Sequence, residues 1–275
     1  MFQYSVCASE GAALHEPVLF RGSYPDAFAY AKSFGFTGIE IHLRDATCID
    51  HDALRRSSEE TGVRIAAIAT GLAKRIDGLS LISDDPEMRK TAVERIKGHL
   101  DLAAEYGCPV VIGSMRDNIP SPALREQSLT RLEEAMRACL DYISGKSCSI
   151  VFEAINRYEN NYFNTAAETL DFVDRIGSPQ LKVLLDTFHM NIEEQNMADA
   201  IRLLGDKLAH IHFADNTRHY PGHGTIDYAS VLRALRQIDY RGWVSMEYLP
   251  LPDEATATRV GFDYIRALEQ AVAME

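Results

Sequence analysis

Residues 182–194 read KVLLDTFHMNIEE, a short aliphatic run that ends abruptly in an acid, Asp186, and passes straight into polar residues. Runs of this length, rich in Val and Leu and bounded by polar residues, read as buried strands. The same grammar recurs on both sides. SIVFEAINRYENN (149–161) ends its apolar run in Glu153, LAHIHFADNTRHYPGHG (208–224) carries His212 near the end of its run, and GWVSMEYLPLP (242–252) carries Glu247. Extending the reading along the chain gives eight candidate strands, at 2–7, 38–43, 64–69, 109–113, 150–154, 182–185, 208–213 and 243–247.

Amphipathic stretches fill the intervals, and strands alternating with helices are the pattern of parallel βα units. The helix starts carry chemical marks. Ser23 with Asp26 and Thr165 with Glu168 have capping-box spacing, while Asp85 before Pro86 and Ser121 before Pro122 read as N-caps followed by a first-turn proline. Gly35, Gly62, Gly107, Gly145 and Gly177 follow helical patterns and read as left-handed C-terminal caps. At 275 residues, with no Pro/Gly/Ser-rich linker or low-complexity tract, the chain fits one α/β domain spanning residues 1–275, a single (β/α)8 barrel. An open doubly wound sheet is the alternative.

The net charge of -12 makes polyphosphate partners such as nucleic acid, and anionic membranes, poor candidates for a large contact surface. A small molecule fits better. The five cysteines are odd in number and scattered, unlike a zinc site or a secreted disulfide framework. The N-terminus lacks a basic segment followed by an apolar one, and no apolar stretch approaches the roughly 20 residues that span a bilayer, so the expected compartment is the cytoplasm.

Barrel enzymes carry their chemistry at the C-terminal ends of the strands. Glu153, Asp186, His212 and Glu247 occupy that position on four successive units, and adjacent strands lie only about 4.8 Å apart. Three carboxylates and one imidazole form a hard donor set suited to one divalent ion, Mn²⁺, Mg²⁺ or Co²⁺. A second polar residue follows three of these ends: Glu159 after Glu153, His189 after Asp186 and Arg218 after His212. Singly, each reads equally as a group that steadies its loop. His42 and His210 read either as groups behind the metal ligands or as core imidazoles. Glu40, charged inside an apolar strand, needs a cationic or polar partner. Tyr158 and Phe163 are candidates to wall the pocket or to pack.

The segments FEAINRYENNYFNT, VLLDTFHMNIEE, HIHFADNTRHYPGHGTIDY and VSMEYLPLP resemble the active-site strands of the ketose 3-epimerases in the xylose-isomerase-like TIM-barrel superfamily. GLAKRIDGLSLISDDPEMRKTAVERI and VVIGSMRD resemble most the branch that includes 5-keto-L-gluconate epimerase. The resemblance implies that Glu153, Asp186, His212 and Glu247 bind the metal and that Glu159, His189 and Arg218 contact a sugar. It also implies that Glu153 and Glu247 move the proton, inverting the hydroxyl-bearing carbon next to a ketone through an enediolate, and that the protein is a homo-oligomer.

Arg44, Lys74, Arg75 and Arg116 follow other strand ends and could hold a substrate carboxylate, which favours a keto-sugar acid of the 5-keto-L-gluconate or tagaturonate type; with Asp45, Asp77 and Asp117 close in sequence, the arginines read equally as members of surface ion pairs. Prolines and acids in the last loop, LPLPDEA, make a phosphate site there unfavourable. An aldose-ketose or hydroxypyruvate-type isomerase uses the same chemistry, and a cyclic-polyol dehydratase shares the fold. An abasic-site endonuclease conflicts with the acidic balance, and a non-catalytic sugar-binding barrel would have to lose a ligand or a glutamate.

Overall fold

The computed structural model describes residues 1–275. Its sheet comprises β1 (Gln3–Ser9), β2 (Phe20–Arg21), β3 (Gly38–His42), β4 (Arg64–Ala69), β5 (Pro109–Ile112), β6 (Ser149–Glu153), β7 (Leu181–Asp186), β8 (Leu208–Phe213) and β9 (Trp243–Met246). All pairings are parallel, neighbours pair in chain order, and β1 pairs with β9 as well as β3. That last pairing closes a single (β/α)8 barrel and excludes the open sheet. The eight expected strands all form, two of them with the expected ends and the others with ends shifted by at most two residues. The two-residue β2, an extra strand on the edge of β1, was not among them.

The helices are α1 (Tyr24–Phe34), α2 (His51–Thr61), α3 (Gly71–Asp77), α4 (Pro86–Tyr106), α5 (Arg125–Tyr142), α6 (Ala166–Ile176), α7 (Thr187–Glu193), α8 (Met197–Leu204), α9 (Tyr228–Gln237) and α10 (Glu254–Ala273). Thr165 and Glu168 form the expected reciprocal box at α6, Ser23 accepts the Asp26 N–H at α1, and Asp85 accepts the Glu87 N–H at α4. Ser121 opens only a three-residue 3₁₀ turn and makes no side-chain cap bond. Gly35, Gly62, Gly107 and Gly177 end their helices at positive φ, whereas Gly145, also at positive φ, lies beyond the end of α5.

The main apolar core, 73 buried residues, fills the layer between strands and helices. A separate cluster of Ala67, Ala69, Val111, Val151 and Leu184 occupies one side of the barrel interior. The other side is polar and equally buried: Ser5, Glu40, His210 and Ser245 are fully inaccessible. This asymmetry positions the site, because the polar half leads directly to the strand ends that carry the acids. No helix is long and apolar enough to cross a membrane, and none of the five cysteines is bonded to another.

Candidate active site

The four strand-end residues converge. Potential donor atoms of Glu153, Asp186 and His212 lie within 4.8 Å of one another, and Glu247 Oε2 lies 3.4 Å from His212 Nδ1. Local structure explains the aim of each group. β7 runs without a loop into α7, so Asp186 caps that helix, its Oδ1 accepting the Phe188 N–H at 2.8 Å while Oδ2 faces the centre. Beside Glu153, a Cβ on Gly113 would collide with Oε2 of that carboxylate; the glycine at the end of β5 makes its room.

His212 is held from behind. Its Nε2 lies 3.1 Å from both oxygens of Glu40, whose Oε2 is also 2.7 Å from His210 Nε2. His210 Nε2 in turn lies 3.0 Å from Ser245 Oγ, and Ser245 meets Ser5 at 2.5 Å. Glu40 thus has the polar partners that burial demands. His212 Nδ1 is buried without a hydrogen bond and turned toward Glu247. A buried imidazole nitrogen without a hydrogen bond, set among carboxylates, makes with them a donor set that fits a divalent cation.

The electrostatics agree. Burial, reinforced by the neighbouring Glu247 and Asp186, pushes the Glu153 carboxyl up to about 8, and burial with Glu247 nearby raises Asp186 to about 7. Burial alone would raise Glu247 too, but His212 and Arg218 outweigh it and bring it down to about 2. For His212 the carboxylates of Glu40 and Glu247 overcome burial and hold the imidazole well above its usual range.

Above this centre lies a cavity of about 330 Å³. Glu159, His189 and Arg218, expected as substrate contacts, all line it, together with His42. Arg218 adopts left-handed backbone, φ 57°, fixed by its N–H donating to the Asp215 carbonyl and its carbonyl accepting from Leu249 N–H, each at 2.8 Å. Its guanidinium packs over Phe188 and reaches Glu247 at 3.0 Å, Glu159 at 3.2 Å and Asp186 at 3.5 Å. Backbone strain of this kind is kept only where the surroundings hold it.

The two distal arginines lie elsewhere. Arg44 is exposed and forms a forked pair with Asp77, and neither residue lines the cavity. Arg116 is fully buried between Phe152 and Tyr162, donating to the Glu153 carbonyl at 2.5 Å and the Phe163 carbonyl at 3.3 Å; burial lowers its guanidinium to about 10. It supports the strand end instead of lining the pocket. Of the cations named from sequence, Lys74 and Arg75 do line the cavity, delivered by α3, Lys74 paired with Asp117 at 2.5 Å and Arg75 with Glu16 at 2.6 Å. Tyr158 is exposed, and Phe163 packs on Phe152 and Phe172.

A family model described as Xylose isomerase-like TIM barrel matches residues 28–268. The chain belongs to the xylose isomerase-like TIM barrel family. That family is one of sugar isomerases and epimerases, and the chain is an enzyme of it. It is 36% identical over 225 residues to an L-ribulose 3-epimerase of Methylomonas sp. (strain DH-1), with 80% of this chain and 77% of that one covered. It is 29% identical over 252 residues to a 3-dehydro-D-guloside 4-epimerase of Escherichia coli (strain K12), covering 88% and 93%. The crystal structure of a D-allulose 3-epimerase from Methylomonas sp. in complex with D-allulose superimposes with a TM-score of 0.81 at 28% identity, over 97% of this chain and 96% of the other.

Two further residues shape the site without being candidates from the sequence: Asn156, buried three positions after Glu153 with its Nδ2 2.6 Å from His189 Nδ1, and Gly113, whose missing side chain leaves room for the Glu153 carboxylate. The short spacing of Asn156 from Glu153 is a local signal of the first, and no local pattern marks the second.

Proposed function

We propose that the protein is a divalent-metal-dependent epimerase that inverts the hydroxyl-bearing carbon next to the ketone of a ketose or keto-sugar acid. The observation that carries this reading is the convergence of Glu153 and Asp186 on His212, whose Nδ1 has no hydrogen bond and faces Glu247 at 3.4 Å, beneath a cavity lined by Glu159, His189 and Arg218.

Glu153, Asp186, His212 and Glu247 would hold the ion. When bound, Mn²⁺, Mg²⁺ or Co²⁺ supplies Lewis acidity that lowers the barrier to removing the proton beside a carbonyl. Inversion then needs one group to take the proton from one face and another to return one to the opposite face, and Glu153 and Glu247 are the pair assigned to this. Each carboxylate has two oxygens, so one can bind while the other acts as base. His189 and Arg218 donate hydrogen bonds to the oxygens on which enediolate charge develops. Glu159 holds Arg218 and orients a hydroxyl of the substrate.

Relatives bearing 3-epimerase and 4-epimerase names support epimerisation in preference to aldose–ketose isomerisation. For the substrate we favour a keto-sugar acid of the 5-keto-L-gluconate or tagaturonate type, with Lys74 and Arg75 as the cations that meet its carboxylate. The proposal includes a homo-oligomer in the cytoplasm, checked by light scattering and cell fractionation. Incubation in D2O with Mn²⁺ tests the reaction: deuterium at the inverted carbon without an aldose product supports it, and an aldose product replaces it with an isomerase. Parallel assays of a keto-hexonate, a free ketose and a ketose phosphate test the substrate class, and faster turnover of the free ketose would overturn the acid preference.

A further inference from the structure

We propose that Asn156 is a positioning residue that fixes the tautomer of His189, so that a neutral imidazole presents its Nε2–H to a substrate oxygen at the reacting centre. The role assigned to that hydrogen bond rests on the epimerase reading; the tautomer does not.

Asn156 is buried in the loop after β6, three residues beyond Glu153. The orientation of its amide is fixed by two neighbours that leave no choice. Its Oδ1 accepts the backbone N–H of Tyr158 at 2.9 Å, and a backbone N–H can only donate. Its Nδ2 donates to Glu159 Oε1 at 3.0 Å, and an ionised carboxylate can only accept. Flipping the amide would set donor against donor at Tyr158 and acceptor against acceptor at Glu159. The second hydrogen of Nδ2 therefore points at His189 Nδ1, 2.6 Å away.

An amide nitrogen has no lone pair to offer, so His189 Nδ1 has to be the acceptor in this contact and carries no proton. The proton of the neutral ring is then on Nε2. That atom faces the centre, 3.6 Å from Glu153 Oε1 and 3.8 Å from Asp186 Oδ2. A doubly protonated ring would turn its Nδ1–H against the Asn156 amide hydrogens. His189 accordingly acts as a fixed donor that keeps its proton, and proton transfer at carbon is left to Glu153 and Glu247. Glu159 completes the arrangement, since the same Oε1 that anchors Asn156 accepts from Arg218 at 3.2 Å. The two donors aimed at the substrate are thus set by one carboxylate.

The experiment is long-range 1H–15N correlation of the imidazoles in ¹⁵N-histidine-labelled protein with Mg²⁺, the His189 signals being assigned by their loss in His189→Gln. The expected pattern has a protonated Nε2 and an unprotonated Nδ1. In Asn156→Asp, whose carboxylate demands an Nδ1–H, the proton should move to Nδ1. There kcat for the epimerised sugar should fall about a hundredfold, the usual cost of one misdirected donor, with KM changed far less. A protonated Nδ1 in the unmodified protein overturns the proposal, even if the variant fails to fold. An Asn156→Asp protein with the original tautomer, or with full turnover, also overturns it. Because the spectrum needs no turnover, absence of epimerase activity would defeat the functional reading while leaving the tautomer decided.

Discussion

His212 Nε2 lies 3.1 Å from both carboxylate oxygens of Glu40, a residue 172 positions earlier in the chain, and both side chains are buried. The contact places the ring's Nε2 proton behind the site and leaves Nδ1 facing the acids. Partners of this kind orient a ligand and raise its basicity, and losing one typically costs about 10–100-fold in metal affinity. Glu40→Gln should therefore weaken Mn²⁺ binding by about that factor while the fold survives, measured by calorimetry alongside circular dichroism. Unchanged affinity would show that His212 needs no carboxylate behind it.

Metal binding should release protons. Without an ion, Glu153 at about 8 is mostly protonated and Asp186 at about 7 half protonated at neutral pH, and His212 is held in its protonated form. Because a ligand set must be deprotonated to bind, affinity rises with pH through this window and flattens once the groups have titrated. The sign is definite: carboxyls raised by burial are neutral below their folded pKa, so acid favours the metal-free form. Calorimetry at pH 6, 7 and 8 in buffers of different ionisation enthalpy measures the proton count, and pH-independent affinity would contradict it.

The legibility of this molecule in its sequence follows the range of the interactions involved. Strands, caps and the four strand-end donors are local patterns, and each is set by residues within a few positions. Arg44 and Arg116 show where that stops: both follow strand ends, yet Asp77, 33 residues away, takes one, and the carbonyls of Glu153 and Phe163 take the other. Nothing local to either arginine names those partners. Likewise Glu40 advertises the need for a partner, but only barrel closure brings β3 and β8 side chains together across the interior.

Gly113→Ala should separate stability from turnover. The added Cβ meets Glu153 Oε2, the free end of a flexible side chain, so the fold can yield by moving the carboxylate. A displacement of about 1 Å in a catalytic group can cost about a hundredfold in rate. We expect stability changed by no more than about 1 kcal/mol, within the range of ordinary substitutions, and kcat reduced at least tenfold. Denaturant melts and steady-state kinetics on one preparation decide this, and full activity would mean that Glu153 has freedom to spare.

Lys74→Ala and Arg75→Ala test how the far end of the substrate is read. Both side chains line the cavity, and each is already paired, with Asp117 and Glu16, so a carboxylate has to compete for them. Hydrogen bonds to charged groups contribute about 1.5–3 kcal/mol, which corresponds to roughly 10–100-fold in kcat/KM for a keto-sugar acid. A free ketose offers only a hydroxyl there and should lose much less. The pairing also gives the contrast a control, because Arg44→Ala removes an exposed arginine held by Asp77 outside the cavity and should leave the ratio of acid to ketose activity unchanged. Equal losses for acid and ketose in the Lys74 and Arg75 variants would mean that these cations shape the pocket without recognising charge.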